Sequence, residues 1–144
     1  MRTAVQVLMI SALLAFAPGA RADFYIVVGE SSSQPSLTRT EALHLFMGRK
    51  RTLANGEVAQ IFDMPADKSR RAGFYRALSG MSLAQITSYW ARLMFSGQNL
   101  PPQSLRDEAA MIETLRRNPN AVGWLGSEPT AKGLRTVLVL PEAP

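Results

Sequence analysis

The stretch Phe24-Tyr25-Ile26-Val27-Val28, closed by Gly29, decides how this chain is read. β-Branched and aromatic residues favour extended backbone, and an apolar run without polar alternation marks a buried strand. Glu30-Ser31-Ser32-Ser33-Gln34-Pro35-Ser36 is loop chemistry. Thr38-x-x-Glu41 then opens a helix, because in this capping box the hydroxyl and the carboxylate each satisfy an orphan backbone N–H. A buried strand that passes through a loop into a helix is the opening of an α/β domain.

Working outward, Ala42, Leu45 and Phe46 form one apolar stripe, and Gly48 supplies the stop. Asn55-Gly56 marks a turn, after which Glu57 to Phe62 predicts a second strand, ended by Pro65. Asp67 caps the next helix, whose buried face is Phe74, Ala77 and Leu78 and which stops at Ser79-Gly80. Ser82-x-x-Gln85 is a second capping box, and Leu83, Ile86, Trp90 and Leu93 recur at helical spacing as far as Phe95. No helix crosses the loop at Pro101-Pro102. A fourth helix, from about Asp107 to Arg117, buries Met111, Ile112 and Leu115 before Asn118-Pro119 stops it. Ala121 to Leu125 and Leu134 to Leu140 are the closing strands. This order predicts a single small α/β domain: a mostly parallel β-sheet flanked by about four helices, the last strand free to run antiparallel.

In the other direction, Arg2 precedes an apolar run from Ala4 to Ala17, then Pro18-Gly19 and Ala20-Arg21-Ala22. That is the order of a cleavable secretory signal, and the run is short of the ~20 residues that cross a bilayer. The expected organisation is a signal peptide over 1–22 and one domain over 23–144, periplasmic and with no stable membrane insertion after cleavage. A chain of 144 residues, 47% hydrophobic and 19% charged, can bury an ordinary core. It has no Cys, which excludes disulfides, thiolate catalysis and Cys-based zinc sites. Loss of Arg2 and Arg21 would lower the net charge of +5 by two. Thirteen of the 16 basic residues are Arg, whose planar guanidinium suits carboxylate or phosphate oxygens, although Arg-rich coding alone gives the same bias.

The best anion site in the sequence is the start of the helix at Asp67, where Lys68, Ser69, Arg70 and Arg71 add donors and charge to the free N–H groups and the positive end of the dipole. The competing reading is a solvated first turn in which Asp67 already takes one or more of those N–H groups. Arg49-Lys50-Arg51 is either a patch for an acidic partner, lipid headgroup or nucleic acid, or a solvated loop that complements a helix end. Export and the lack of a recognition motif argue against nucleic acid. His44, the single histidine, projects to the wet face of its helix without a positioned partner, and no Gly-x-Ser-x-Gly elbow exists, so no catalytic residue is assigned. One His and scattered carboxylates leave no metal site and no cofactor site. Trp90 and Trp124 fall at helical and strand spacing and are expected in the core.

The stretch Glu41 to Lys50, followed by Asn55-Gly56, Phe74-Tyr75-Arg76-Ala77-Leu78-Ser79-Gly80, Tyr89-Trp90, Phe95-Ser96-Gly97, Pro101-Pro102 and Ala121-Val122-Gly123-Trp124, resembles the small secreted proteins of the phosphate ABC transporter substrate-binding-like family. The order and spacing carry the resemblance over nearly all of the chain after the signal. These proteins look like an abbreviated type II periplasmic binding protein. The resemblance implies a periplasmic address, a fold equivalent to part of the bilobal phosphate receptor, and a non-enzymatic binding role connected with transport, with phosphate or another small anion as ligand. The chain departs from the full receptors where they carry Arg-Ser-x-Gly-Ser-Gly-Thr: it has Phe62-Asp63-Met64-Pro65-Ala66-Asp67-Lys68-Ser69-Arg70-Arg71. A two-lobed clamp is therefore not expected. The alternative is a protein-interaction accessory of an envelope transporter, porin or membrane sensor, with no small ligand.

Overall fold

The computed structural model describes residues 23–144, so the expected signal peptide over 1–22 lies outside the described residues. The elements are β1 (Asp23–Gly29), α1 (Arg39–Phe46), β2 (Gln60–Asp63), α2 (Lys68–Ser79), α3 (Leu83–Phe95), β3 (Gln103–Ser104), α4 (Glu108–Arg117), β4 (Ala121–Leu125) and β5 (Leu134–Pro141). One five-stranded sheet is ordered β3-β2-β4-β1-β5. β2 pairs parallel with β3 and β4, while β1 pairs antiparallel with β4 and β5. Four of the five strands thus run one way and the sheet is mostly parallel; the strand that runs against the others is the first.

Both capping boxes form as the sequence predicts, Thr38 with Glu41 and Ser82 with Gln85. Asp67 and Asp107 cap α2 and α4 by accepting from the N–H three residues on. Gly80 ends α2 in the left-handed conformation at φ 74°. The second strand is shorter than predicted. Thr52 bridges Val58 across the Asn55-Gly56 turn, and the regular ladder with β4 begins only at Gln60. The two-residue β3, just after Pro101-Pro102, carries no apolar pattern by which a sequence reading could find it.

Core packing centres on rings. Phe74 of α2 stacks on Trp124 of β4 at 4.6 Å and 7°, and Phe24 of β1 meets both edge-on. α4 lies so close to β1 that a Cβ on Gly29 would fall 2.1 Å from the Leu115 carbonyl oxygen, so only glycine fits there. This packing sets α2 and α4 behind the ends of β2 and β3, the two strands they follow. α3 is the least embedded helix: Ile86 and Trp90 are its fully buried residues.

Candidate functional site

Because β2 and β3 are parallel neighbours and each leads into a helix, α2 and α4 begin on the same side of the sheet, at the carboxyl ends of the strands. That is the usual place for ligands in open α/β sheets, and helix N-termini there present N–H groups and positive potential. A cleft of about 670 Å³ opens at this point, with Met64, Lys68, Arg70, Arg106, Glu108 and Trp124 in its walls.

The donors in the cleft divide into used and unused. Asp67 Oδ1 accepts from the Arg70 N–H at 3.0 Å, and Asp107 Oδ1 from the Ala110 N–H at 2.8 Å. Among the described residues nothing accepts from the backbone N–H groups of Lys68 and Ser69. Arg70 spans the cleft: its Nη1 donates to Glu108 Oε1 at 3.1 Å, and its Nε lies 3.5 Å from Asp67 Oδ2. The same Glu108 oxygen accepts from the Gly126 N–H, just past β4, at 3.2 Å. A carboxylate of the chain thus sits where a guanidinium and a strand-end amide converge. Lys68, Arg70 and Arg106 are matched in number by Asp67, Asp107 and Glu108, so the cleft is close to neutral.

A second charged centre lies beneath. Asp63, at the end of β2, is buried, and four donors surround it. Oδ2 accepts from Arg71 Nε and from the Tyr75 hydroxyl, each at 2.8 Å. Oδ1 accepts from Trp124 Nε1 at 3.0 Å and from the Met64 N–H at 2.7 Å. Burial works against the Arg71 charge, yet the hydrogen bond and charge of Asp63 outweigh it and raise the guanidinium pKa. Burial first, and the Asp63 charge second, push the Tyr75 phenol well above its ordinary value. Every group around Asp63 is satisfied, which is the condition under which a buried charge is tolerated.

Of the four residues singled out in the sequence, Lys68 and Arg70 line the cleft. Ser69 is exposed beside it, and Arg71 turns the other way to the buried carboxylate. Asp107 and Glu108 put negative charge at the start of α4. That accounts for Asp107, but the meeting of Glu108 with Arg70, 38 positions away, has no local signal. Asp63 was equally silent, a lone acid after an apolar pair. His44 is partly buried in the last turn of α1, with no side-chain hydrogen bond among the described residues. No group of three or more potential metal ligands occurs among the described residues. No helix among them is long and apolar enough to cross a membrane.

No protein-family model and no curated protein matches the chain. Solved structures do. An ABC-type phosphate transport receptor from Vibrio cholerae superposes with a TM-score of 0.61 at 16% identity, over 81% of this chain and 46% of the receptor. A protein described as a phosphate ABC transporter substrate-binding protein, with phosphate bound, from Clostridium perfringens gives 0.63 at 11% identity, over 81% of this chain and 45% of its own. The chain is therefore a substrate-binding-protein-like α/β domain in fold, as its sequence resemblance implied. It matches less than half the length of either receptor.

Proposed function

We propose that the protein is an exported, periplasmic, non-enzymatic binding domain that takes a small oxyanion, phosphate foremost, in the cleft between the starts of α2 and α4. One observation carries this reading: two helix N-termini open on one concavity together with Lys68, Arg70 and Arg106. The phosphate in the Clostridium perfringens neighbour supports it. Entry of the anion displaces Glu108 from Arg70 and engages the unused N–H groups of Lys68 and Ser69. Displacing an exposed ion pair costs little, about 0–1 kcal/mol, but the three carboxylates stay nearby, so binding is weak and weakens further with salt. Arg71, already bound to Asp63, takes no part. The placement of His44, with no side-chain hydrogen bond among the described residues, and of Asp63, neutralised by Arg71, supports a role without catalysis.

The test is calorimetric titration of the chain from Asp23 to Pro144 with phosphate and sulfate at low salt. Saturable binding with one site per chain is expected, lost in Lys68→Ala combined with Arg70→Ala while the melting temperature holds. Pairing Arg70→Ala with Arg71→Ala is not a clean test, because Arg71 belongs to the buried network. Absence of heat with either anion would overturn the reading. The other reading, a protein-interaction accessory of an envelope protein, rests on a separate observation: Phe95 is 97% exposed at the end of α3.

A further inference from the structure

Apart from Val139 on β5, the exposed large apolar residues are grouped. Val58, Met94, Phe95 and Leu100 are 67, 51, 97 and 74% exposed, and they border two adjoining clefts. One, of about 320 Å³, holds Val58, Leu100, Pro101, Trp90, Lys50 and Arg51 among its walls. The next, of about 560 Å³, holds Trp90, Pro101, Met94, Phe95 and Arg71. Trp90 and Pro101 line both, so the two form one groove beside α3. Arg51 Nη2 donates to the Gln98 carbonyl at 2.8 Å and fastens the basic loop to the apolar one. Buried Trp90 lies in the wall of this groove, and among the described residues nothing accepts from its Nε1. A buried indole N–H without a partner is rare and costs about 1–3 kcal/mol.

Charge selects the occupant. Among the described residues no acidic side chain lines either cleft. Lys50 and Arg51 line the one cleft, and Arg71, paired with Asp63, lines the other. A second copy presenting this same face would therefore meet like charge with like charge. A flat membrane surface complements the basic rim but not a concave groove. An extended protein segment with apolar side chains and a carboxylate meets both requirements: apolar walls and a cationic rim.

We propose that the groove formed by Trp90, Met94, Phe95, Leu100 and Pro101, rimmed by Lys50 and Arg51, is a docking site for an acidic, apolar-anchored segment of a partner protein. The site lies apart from the α2–α4 cleft and does not depend on anion binding there. The experiment is selection from a random peptide display library, about a dozen residues per member, on the chain from Asp23 to Pro144. Enriched peptides are expected to combine net negative charge with apolar residues. They should weaken at least about tenfold against Phe95→Ser with Leu100→Ser, and likewise against Lys50→Glu with Arg51→Glu. These side chains are exposed, so the variants should keep the parent's thermal melt and its phosphate titration, which separates failure here from failure of the anion reading. Enrichment of neutral or basic peptides, or none beyond that on the Phe95/Leu100 variant, would overturn the proposal. So would phosphatidylglycerol vesicle binding, or a dimer in sedimentation equilibrium, that the Phe95/Leu100 variant abolishes, since these assign the face to lipid or to self-association.

Discussion

Arg70 and Arg71 are adjacent in the sequence, on the first turn of the same helix, and they do opposite things. Arg71 faces inward, its side chain 22% exposed, against a carboxylate that is 4% exposed. Arg70 faces the cleft, 52% exposed, and shares Glu108 and Asp67 with solvent. A rotation of about 100° around the helix axis separates a structural counter-ion from a candidate ligand-binding group. The difference shows that the chemistry of an arginine at a helix start is set by what the neighbouring strand ends supply. β2 supplies a buried acid beneath Arg71, and the start of α4 supplies a solvated one across from Arg70.

If that contrast is sound, stability should follow one arginine and binding the other. The largest effect is expected from Asp63→Ala, which strands the Arg71 guanidinium, the Tyr75 hydroxyl and the Trp124 indole N–H in a partly desolvated site. A loss of about 3–5 kcal/mol in urea unfolding is expected. A loss under about 1 kcal/mol would mean that the centre is wetter than its packing suggests. Next comes the direct pair. Arg71→Ala removes one charged hydrogen bond while Tyr75, Trp124 and Met64 still serve the carboxylate, for a loss of about 2 kcal/mol. Arg70→Ala should stay within about 0.5 kcal/mol, as exposed ion pairs do. Equal losses for the two arginines would dissolve the comparison.

Tyr75→Phe is smaller, about 1 kcal/mol, and its pH dependence sharpens the picture. The phenol pKa is raised in the folded state by burial and by Asp63. The unfolded chain therefore releases this proton first, and stability is fully present below the unfolded value near 10, then falls as pH rises toward the folded pKa. The parent protein should lose stability above pH about 10 with a component that Tyr75→Phe lacks. Parallel alkaline profiles would show that the hydroxyl titrates as it does in the unfolded chain.

The helices were legible in the sequence because their signals are local. Two capping boxes, the Asp67 cap and apolar residues at helical spacing name α1 to α4 almost to the residue. The sheet was legible in class, since β1, β4 and β5 are apolar runs, whereas the reversed direction of β1 depends on pairings made across the whole chain. The candidate site was half legible. Lys68 and Arg70 stand out because a helix N-terminus is recognisable from its cap. Glu108, Arg106 and Asp63 do not, because their role arises only when β2, β3 and β4 are laid side by side. Sequence places charges along a helix; the sheet decides which of them share a cleft.

Glu108→Gln is the subtlest of these changes and bears most directly on the cleft. Its Oε1 receives Arg70 and the Gly126 N–H, and a Gln oxygen can still accept from both. Stability should therefore change by less than about 0.5 kcal/mol. The charge, however, is gone, and with it the repulsion felt by an arriving anion. If Glu108 holds the place of a ligand, phosphate should bind this variant up to about tenfold more tightly than the parent, a difference of roughly 1.4 kcal/mol. The gain should shrink as salt is raised. Unchanged or weaker phosphate binding would make Glu108 a brace between α2, α4 and the end of β4, and Arg70, like Arg71, a structural residue.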